Sequence, residues 1–316
     1  MAELTEPQRR TVEQLIGTQE RPVVAADLVR RLRDRIERAL ADLELREAVW
    51  LTKERLRAHG RCGGLFQAQL AGEHARFAHT PTTAAGVLAH RAVEVDMTAR
   101  SPLDPFEVAS IAARRLVDRE DPFAVHWAAL GERGQEEALA EAARRLTLFR
   151  ASFPPLRELR SALAPIPELR LRAEFLDARL VLSGQIDLVL GLPDADAPLR
   201  ATRLALDLKT GAARPEHAAD LRVYALLLAL RFGVPPYRVA TFYLEAGTWQ
   251  AEDVDERVLQ HAAERLVAAA RDAAHLAAGG TPVLAPGPWC AWCPRVEVCP
   301  AADPEAVPGP VLGRAP

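Results

Sequence analysis

Lysine is almost absent from this chain. Of 40 lysines and arginines in 316 residues, only Lys53 and Lys209 are lysine. A coding bias toward arginine and alanine accounts for the depletion. A lysine that persists against such a bias marks a place where arginine does not substitute. An excess of positive charge is also missing: the formal net charge is −3. Any contact with nucleic acid must therefore come from a local basic groove rather than from the chain as a whole. No segment approaches ~18 uninterrupted apolar residues, so no membrane span is expected. The first residues, MAELTEPQRR, lack the apolar core of a secretory signal, and a cytoplasmic location is expected. Cysteine is scarce as well. There are four, and three of them lie between positions 290 and 299. In a reducing compartment that clustering points to a metal site rather than to disulfides. The sequence contains no internal repeat.

What is present suffices for a sizeable core, with 49% hydrophobic residues. Residues 22–58 read as helices rich in Leu, Arg and Glu, and 60–80 as an irregular stretch around Cys62. A helix is expected from an N-cap at Thr82 or Thr83, after Pro81, to about Met97. Residues 104–150 look helical until Pro154, Pro155, Pro165 and Pro167 break the pattern. Three strands follow, at 169–177, 179–190 and 202–209, with a turn-rich link at 193–198. Residues 216–232 form an apolar helix, 237–253 a hairpin turning at Ala246-Gly247, and 254–278 a helix ending at Gly279-Gly280. The domain reading is an N-terminal helical region over 1–60, a main domain over 61–300, and a disordered tail over 301–316. The main domain carries a helical insertion at about 104–165 and a cysteine cluster at 286–300.

The chemistry centres on two strands. In Ser183–Leu190 an aspartate, Asp187, interrupts an apolar run; in Leu204–Lys209, Asp207 and Lys209 interrupt another. Alternation puts Asp207 and Lys209 on one face and Leu204, Leu206 and Leu208 on the other. A carboxylate in a buried strand is unfavourable unless it is paired or bound to a cation. Two on neighbouring strands repel each other, and a hard divalent ion relieves that. A lysine beside them can position water or stabilise charge on a phosphate, a role the arginine fork fills poorly. Upstream, Gly86 and His90 lie one turn apart on the helix. Downstream, Asp220 and Tyr224 are i,i+4 neighbours at the start of the apolar helix. At the C-terminus, Cys290, Cys293 and Cys299 have the spacing C-x-x-C-x(5)-C, suited to one metal centre with Cys62 as the fourth thiolate. By spacing alone, zinc and an iron–sulfur cluster are both open.

Taken in order, these residues resemble the RecB-like branch of the PD-(D/E)xK nucleases. The motifs are G-x-x-x-H (Gly86 to His90), G-x-x-D (Gly184 to Asp187), D-x-K (Asp207 to Lys209) and a helix bearing Tyr224. The likeness covers about residues 50–300. It implies an α/β fold, a small mixed restriction-endonuclease-like sheet flanked by helices. It implies His90, Asp187, Asp207 and the carbonyl of Leu208 as ligands of Mg²⁺ or Mn²⁺, Lys209 as the catalytic lysine, and substrate contact by Tyr224. Glu174, on the preceding strand, is a further candidate. In two places the chain departs from the family: Gln185 stands where arginine is frequent, and Asp220 where glutamine is usual. All four cysteines match the iron–sulfur subset of the family. That subset includes AddAB-type helicase–nucleases and CRISPR-associated spacer-processing nucleases, and it implies a 4Fe–4S cluster on Cys62, Cys290, Cys293 and Cys299, with Zn²⁺ as the alternative. The expected function is metal-dependent DNA hydrolysis, as an exonuclease in repair or recombination, with a helicase or other repair protein as partner. The alternative is a catalytically silent module that binds DNA ends or a helicase.

Overall fold

A computed structural model describes residues 4–74, 80–118 and 123–302. Most of the expected disordered tail, residues 303–316, lies outside the described residues. The chain opens with α1 (Glu6–Arg10), continued by a π-helical stretch at Thr11–Gly17, then α2 (Leu28–Leu40), β1 (Val49–Leu51), α3 (Lys53–His59) and α4 (Gly63–Leu70). Next come α5 (Pro81–Thr98), α6 (Pro105–Asp118), α7 (Phe123–Ala129), α8 (Gly131–Ser152) and α9 (Arg160–Leu163). The second half contains β2 (Ile166–Phe175), β3 (Leu180–Leu190), β4 (Leu204–Lys209), α10 (Glu216–Phe232), β5 (Arg238–Tyr243), β6 (Thr248–Asp253) and α11 (Glu256–Ala277). Two 3₁₀ turns, at Pro288–Trp292 and Val296–Val298, carry the C-terminal cysteines.

The six strands form one mixed sheet between two helical layers, the α/β architecture expected from the sequence. Helices α2, α3, α4, α10 and α11 contribute to the core on one face, and α5, α6 and α8 to the core on the other. Leu226, Leu227 and Leu228 of α10 are all buried, because this helix is covered by the sheet on one side and by helices on the other. Among the described residues no helix is long and apolar enough to cross a membrane.

Strand β3 organises the sheet. One edge pairs with β2 along almost its whole length, antiparallel, from Ile166–Val189 to Phe175–Leu180. The other edge is shared. Its first residues, Leu180–Leu182, pair in parallel with β1, and Leu188–Leu190 pair antiparallel with β4. Between these partners, residues 183–187 have no ladder neighbour on that side. Lys53, two residues past β1, and the outgoing end of β4 both approach this gap.

Two elements differ from the sequence expectation. Val49–Leu51 is a strand, not part of a helix; three residues are too few to show a period, and their pairing with β3 decides the conformation. Residues 63–70 are helical where an irregular stretch was expected. The N-cap of α5 is Thr80, whose hydroxyl accepts the Thr83 N–H at 3.3 Å. The cap falls before Pro81 because proline is favoured at the first helical position, where its missing N–H leaves nothing unsatisfied. The 216–232 helix and the hairpin turning at Gly247 form where the sequence places them.

Candidate active site

Three acidic residues stand in a row across the sheet. The pairs Pro167–Leu188 and Leu169–Ile186 flank Glu168 of β2 and Asp187 of β3, which therefore face each other. One step beyond the pair Leu188–Leu206, Asp187 is level with Asp207 of β4. Both ladders are interrupted at this row. Glu168 has a left-handed backbone, φ 51°, which residues other than glycine rarely adopt. The in–out alternation of β3 also changes phase at Asp187. Ile186 packs in one core and Leu188 in the other, although residues two apart share a face in a regular strand. This irregularity turns the Asp187 carboxylate so that its Oδ2 accepts the Leu208 N–H at 2.7 Å.

His90 of α5 reaches the same place, with Nδ1 3.4 Å from Asp187 Oδ2. His90, Glu168 and Asp187 bring one ligand atom each within 4.8 Å of one another, a group able to hold a metal ion. Burial lowers the His90 pKa, but the Asp187 carboxylate outweighs it and the net direction is up. Burial, then the Asp187 charge, raises the Glu168 carboxyl. A cation would relieve this like-charge contact. Gln185 holds Glu168 from the same strand as Asp187 and accepts from Arg170 Nε at 2.9 Å. Glu174 is elsewhere: it pairs with Arg172 at 3.0 Å, far along β2, with 43% of its side chain exposed.

Asp207, next to Asp187 in this row, is only 1% exposed. Both lysines of the chain converge on it. Lys53 Nζ lies 3.2 Å from Oδ1, and Lys209 Nζ lies 2.5 Å from Oδ2. Each Asp207 oxygen therefore faces one ammonium. Burial pushes the Asp207 carboxyl up; Lys53 and Lys209 outweigh it and hold the pKa far below the usual carboxylate range. Burial likewise works against the Lys53 ammonium, and Asp207 in turn raises it above the usual lysine value. Tyr224 of α10 is buried and accepts from Lys53 Nζ at 2.7 Å. His90, Glu168 and Asp187 form a donor set of the kind hard divalent ions take, and Asp207 stands outside that group.

The glycines of the motifs have packing roles. A Cβ at Gly184 would stand 2.9 Å from Leu227 Cδ1, so this glycine lets α10 lie close on β3. At Gly86 a Cβ would stand 3.3 Å from Thr210 Oγ1, next to Lys209. Asp220 forms a buried ion pair with Arg57 of α3. The site opens into a cleft of 770 Å³ lined by eight lysines and arginines against four carboxylates, among them Arg57, Arg91, Arg145 and Arg214. Most of these charges are already paired, Arg57 with Asp220, Arg61 with Glu216, Arg91 with Glu94 and Arg145 with Glu141 and Glu245, whereas Arg170 and Arg214 have no ion pair among the described residues.

The four cysteines line a second cavity, of 360 Å³. Cys62 caps the start of α4, and its sulfur accepts the Ala285 N–H at 3.5 Å; the Cys290 sulfur accepts the Gly287 N–H at 3.4 Å. Gly63 and Gly64 let the C-terminal segment pass close by. A Cβ at either would meet Val283 or Leu284 at under 3 Å. The Cys293 thiol is pushed up by burial and by the proximity of Cys62, Cys290 and Cys299.

Sequence reasoning missed two residues. Lys53 carried a signal in its rarity alone. Glu168 could have been found by counting back from the β2–β3 turn, which puts it opposite Asp187. No curated protein matches the chain. Among solved structures, one titled "Crystal structure of SSO0001" is 12% identical with a TM-score of 0.35, covering 85% of this chain and 94% of that one. Residues 50–300 match the PD-(D/E)XK nuclease superfamily, whose members are as a rule metal-dependent phosphodiester hydrolases. With that match spanning most of its length, the chain belongs to the PD-(D/E)XK nuclease superfamily.

Proposed function

We propose that this protein is a Mg²⁺- or Mn²⁺-dependent deoxyribonuclease that works from DNA ends. The observation that carries the reading is the convergence of His90, Glu168 and Asp187 beside Lys209 in an arginine-lined cleft. His90, Asp187 and Asp207, with Glu168 from β2 and the Leu208 carbonyl, are the proposed ligands. When bound, the ion would supply an activated water and neutralise phosphate charge. Lys209 orients that water and stabilises charge on the scissile phosphate. Arg170 and Arg214, which have no ion pair among the described residues, hold the flanking phosphates, and Tyr224, buried and outside the cleft lining, acts through Lys53. The test is incubation of anaerobically purified protein with 5′- or 3′-labelled single- and double-stranded DNA, in Mg²⁺, Mn²⁺ or chelator. Chelator-sensitive release of nucleotides from labelled ends is expected. Intact DNA under every condition would overturn the proposal.

The cysteine cavity belongs to the same proposal, as the seat of a 4Fe–4S cluster. In its favour are the four thiols lining one cavity and the match of their spacing to the iron–sulfur subset of the family. Purified anaerobically, the protein should be brown and contain about four iron and four sulfide per chain. A colourless protein with one zinc would reject the cluster. The resemblance to helicase–nucleases extends the reading to repair or recombination in the cytoplasm, with a helicase partner.

A further inference from the structure

The two lysines of an arginine-rich chain lie on the two oxygens of one buried carboxylate. Lys209 belongs to the D-x-K strand. Lys53 comes from a different element, the first residue of α3, and nothing in the motif order calls for it. Its position is fixed by a polar ladder between α3 and α10. Lys53 meets Tyr224, Arg57 meets Asp220, and Arg61 meets Glu216 at 3.1 Å, each step advancing four residues on one segment and receding four on the other. The ladder delivers the Lys53 ammonium, 14% exposed, into the gap beside β3.

Charge is distributed unequally around the row of carboxylates. Asp207 has an ammonium against each oxygen. Among the described residues, Asp187 and Glu168 have His90, backbone and amide partners and no ammonium or guanidinium ion pair, and they face the cleft. A first divalent ion therefore has a negative group to join. A second one, bridging to the far side of Asp207, would have to settle beside the Lys53 ammonium, where like charge opposes it. The ammonium is a compact point charge that fits between one phenol and one carboxylate oxygen, whereas guanidinium presents a planar fork.

We infer that Lys53 is a positioning residue that acts on Asp207 as a built-in cation in place of a second metal ion, so that the centre takes one divalent ion. The inference rests on the proposed metal site and is tested without DNA or turnover. Mn²⁺ is titrated into the anaerobically purified full chain, and free ion is counted by electron paramagnetic resonance, with Asp187→Ala as the blank. The parent should bind one ion above the blank. Lys53→Met, uncharged and of similar length, should bind two. Lys53→Gln, which can still donate to Asp207 and Tyr224, guards against misfolding and should also bind two. Two ions in the parent, or one in both neutral variants, would overturn the role of Lys53 while leaving the nuclease reading in place. No Asp187-dependent ion in the parent would overturn both.

Discussion

The carboxylate cleft and the cysteine cavity are held together in opposite ways. The cleft side chains stand on β2, β3, β4, α3, α5 and α10, and most of these elements are anchored by residues with no exposure, such as Leu88, Ile186, Leu206 and Leu227. The cavity draws three of its four thiols from a segment in which no residue between 281 and 302 is buried. That segment is tied down by the Gly63–Val283 backbone bond at 2.9 Å and by Arg295, which reaches Glu73 and Gln67 at 2.6–2.7 Å. Exposed pairs of this kind contribute about 0–1 kcal/mol each. Apolar burial thus organises the cleft, whereas the C-terminal segment packs only partly buried side chains, Leu284, Trp289 and Cys293, on the core, and under the proposed reading a centre on its thiols supplies the rest.

The sharpest way to break this contrast is Cys62→Ala. Cys62 and Cys290 are 228 positions apart. Linking them through one centre restricts the unfolded chain by an amount corresponding to roughly 5 kcal/mol, although measured cross-links often deliver less. The variant should lose its iron, unfold at lower urea, and exchange amide hydrogens rapidly over 285–300 while β3 and β4 stay protected. Unchanged protection at 285–300 would show that the segment is held without the cluster. Asp187→Ala should do the reverse. Removing a ligand withdraws about 4 kcal/mol of transition-state stabilisation, close to a thousandfold in rate. Stability should hold or rise, because Glu168 loses a like-charged neighbour. Full cleavage activity in this variant would remove Asp187 from the site.

How much of this was legible follows the same division. The D-x-K strand, the preceding aspartate strand and the α10 helix have strong local patterns, and they form where the sequence puts them. The convergence of His90 on Asp187 was implied only by motif order, since 97 positions separate them. Glu168 was not seen because the strand was expected to begin at residue 169, whereas β2 begins at Ile166 and carries Glu168 opposite Asp187. Lys53 was not placed because β1, the strand that carries it to the site, is three residues long. The departure at Asp220 acquires a reason only in three dimensions, where Arg57 faces it.

The two regions are joined by the ladder between α3 and α10, since Lys53 stands at one end and Arg61, next to Cys62, at the other. Asp220→Ala tests that link. Asp220 is 1% exposed, and its loss leaves Arg57 without its carboxylate partner inside the protein. Breaking a buried pair from one side costs about 3–5 kcal/mol. Both ends should respond: slower cleavage at the cleft and faster loss of iron in air at the cavity. A stability change below about 1 kcal/mol, the range of an exposed pair, with both ends unaffected, would mean the ladder carries nothing between them.

The smallest effect expected is Lys209→Arg, and it bears on why lysine survives at all in this sequence. The substitution keeps a full charge at the mouth of the cleft, where the Lys209 side chain is 22% exposed. It replaces a point charge 2.5 Å from Asp207 Oδ2 by a planar group that cannot occupy the same spot without displacing the carboxylate. Disturbing a partner of a metal centre typically lowers activity by about 10- to 100-fold. The rate should fall within that range while Mn²⁺ binding stays within a few-fold of the parent, because His90, Glu168 and Asp187 keep their places even where Asp207 shifts. The fold should be unaffected, since the ammonium is only partly enclosed. Single-turnover cleavage of end-labelled DNA, measured beside Mn²⁺ titration, separates the two readouts. An arginine variant that cleaves as fast as the parent would reduce Lys209 to a generic cation and leave coding bias as the account of its identity.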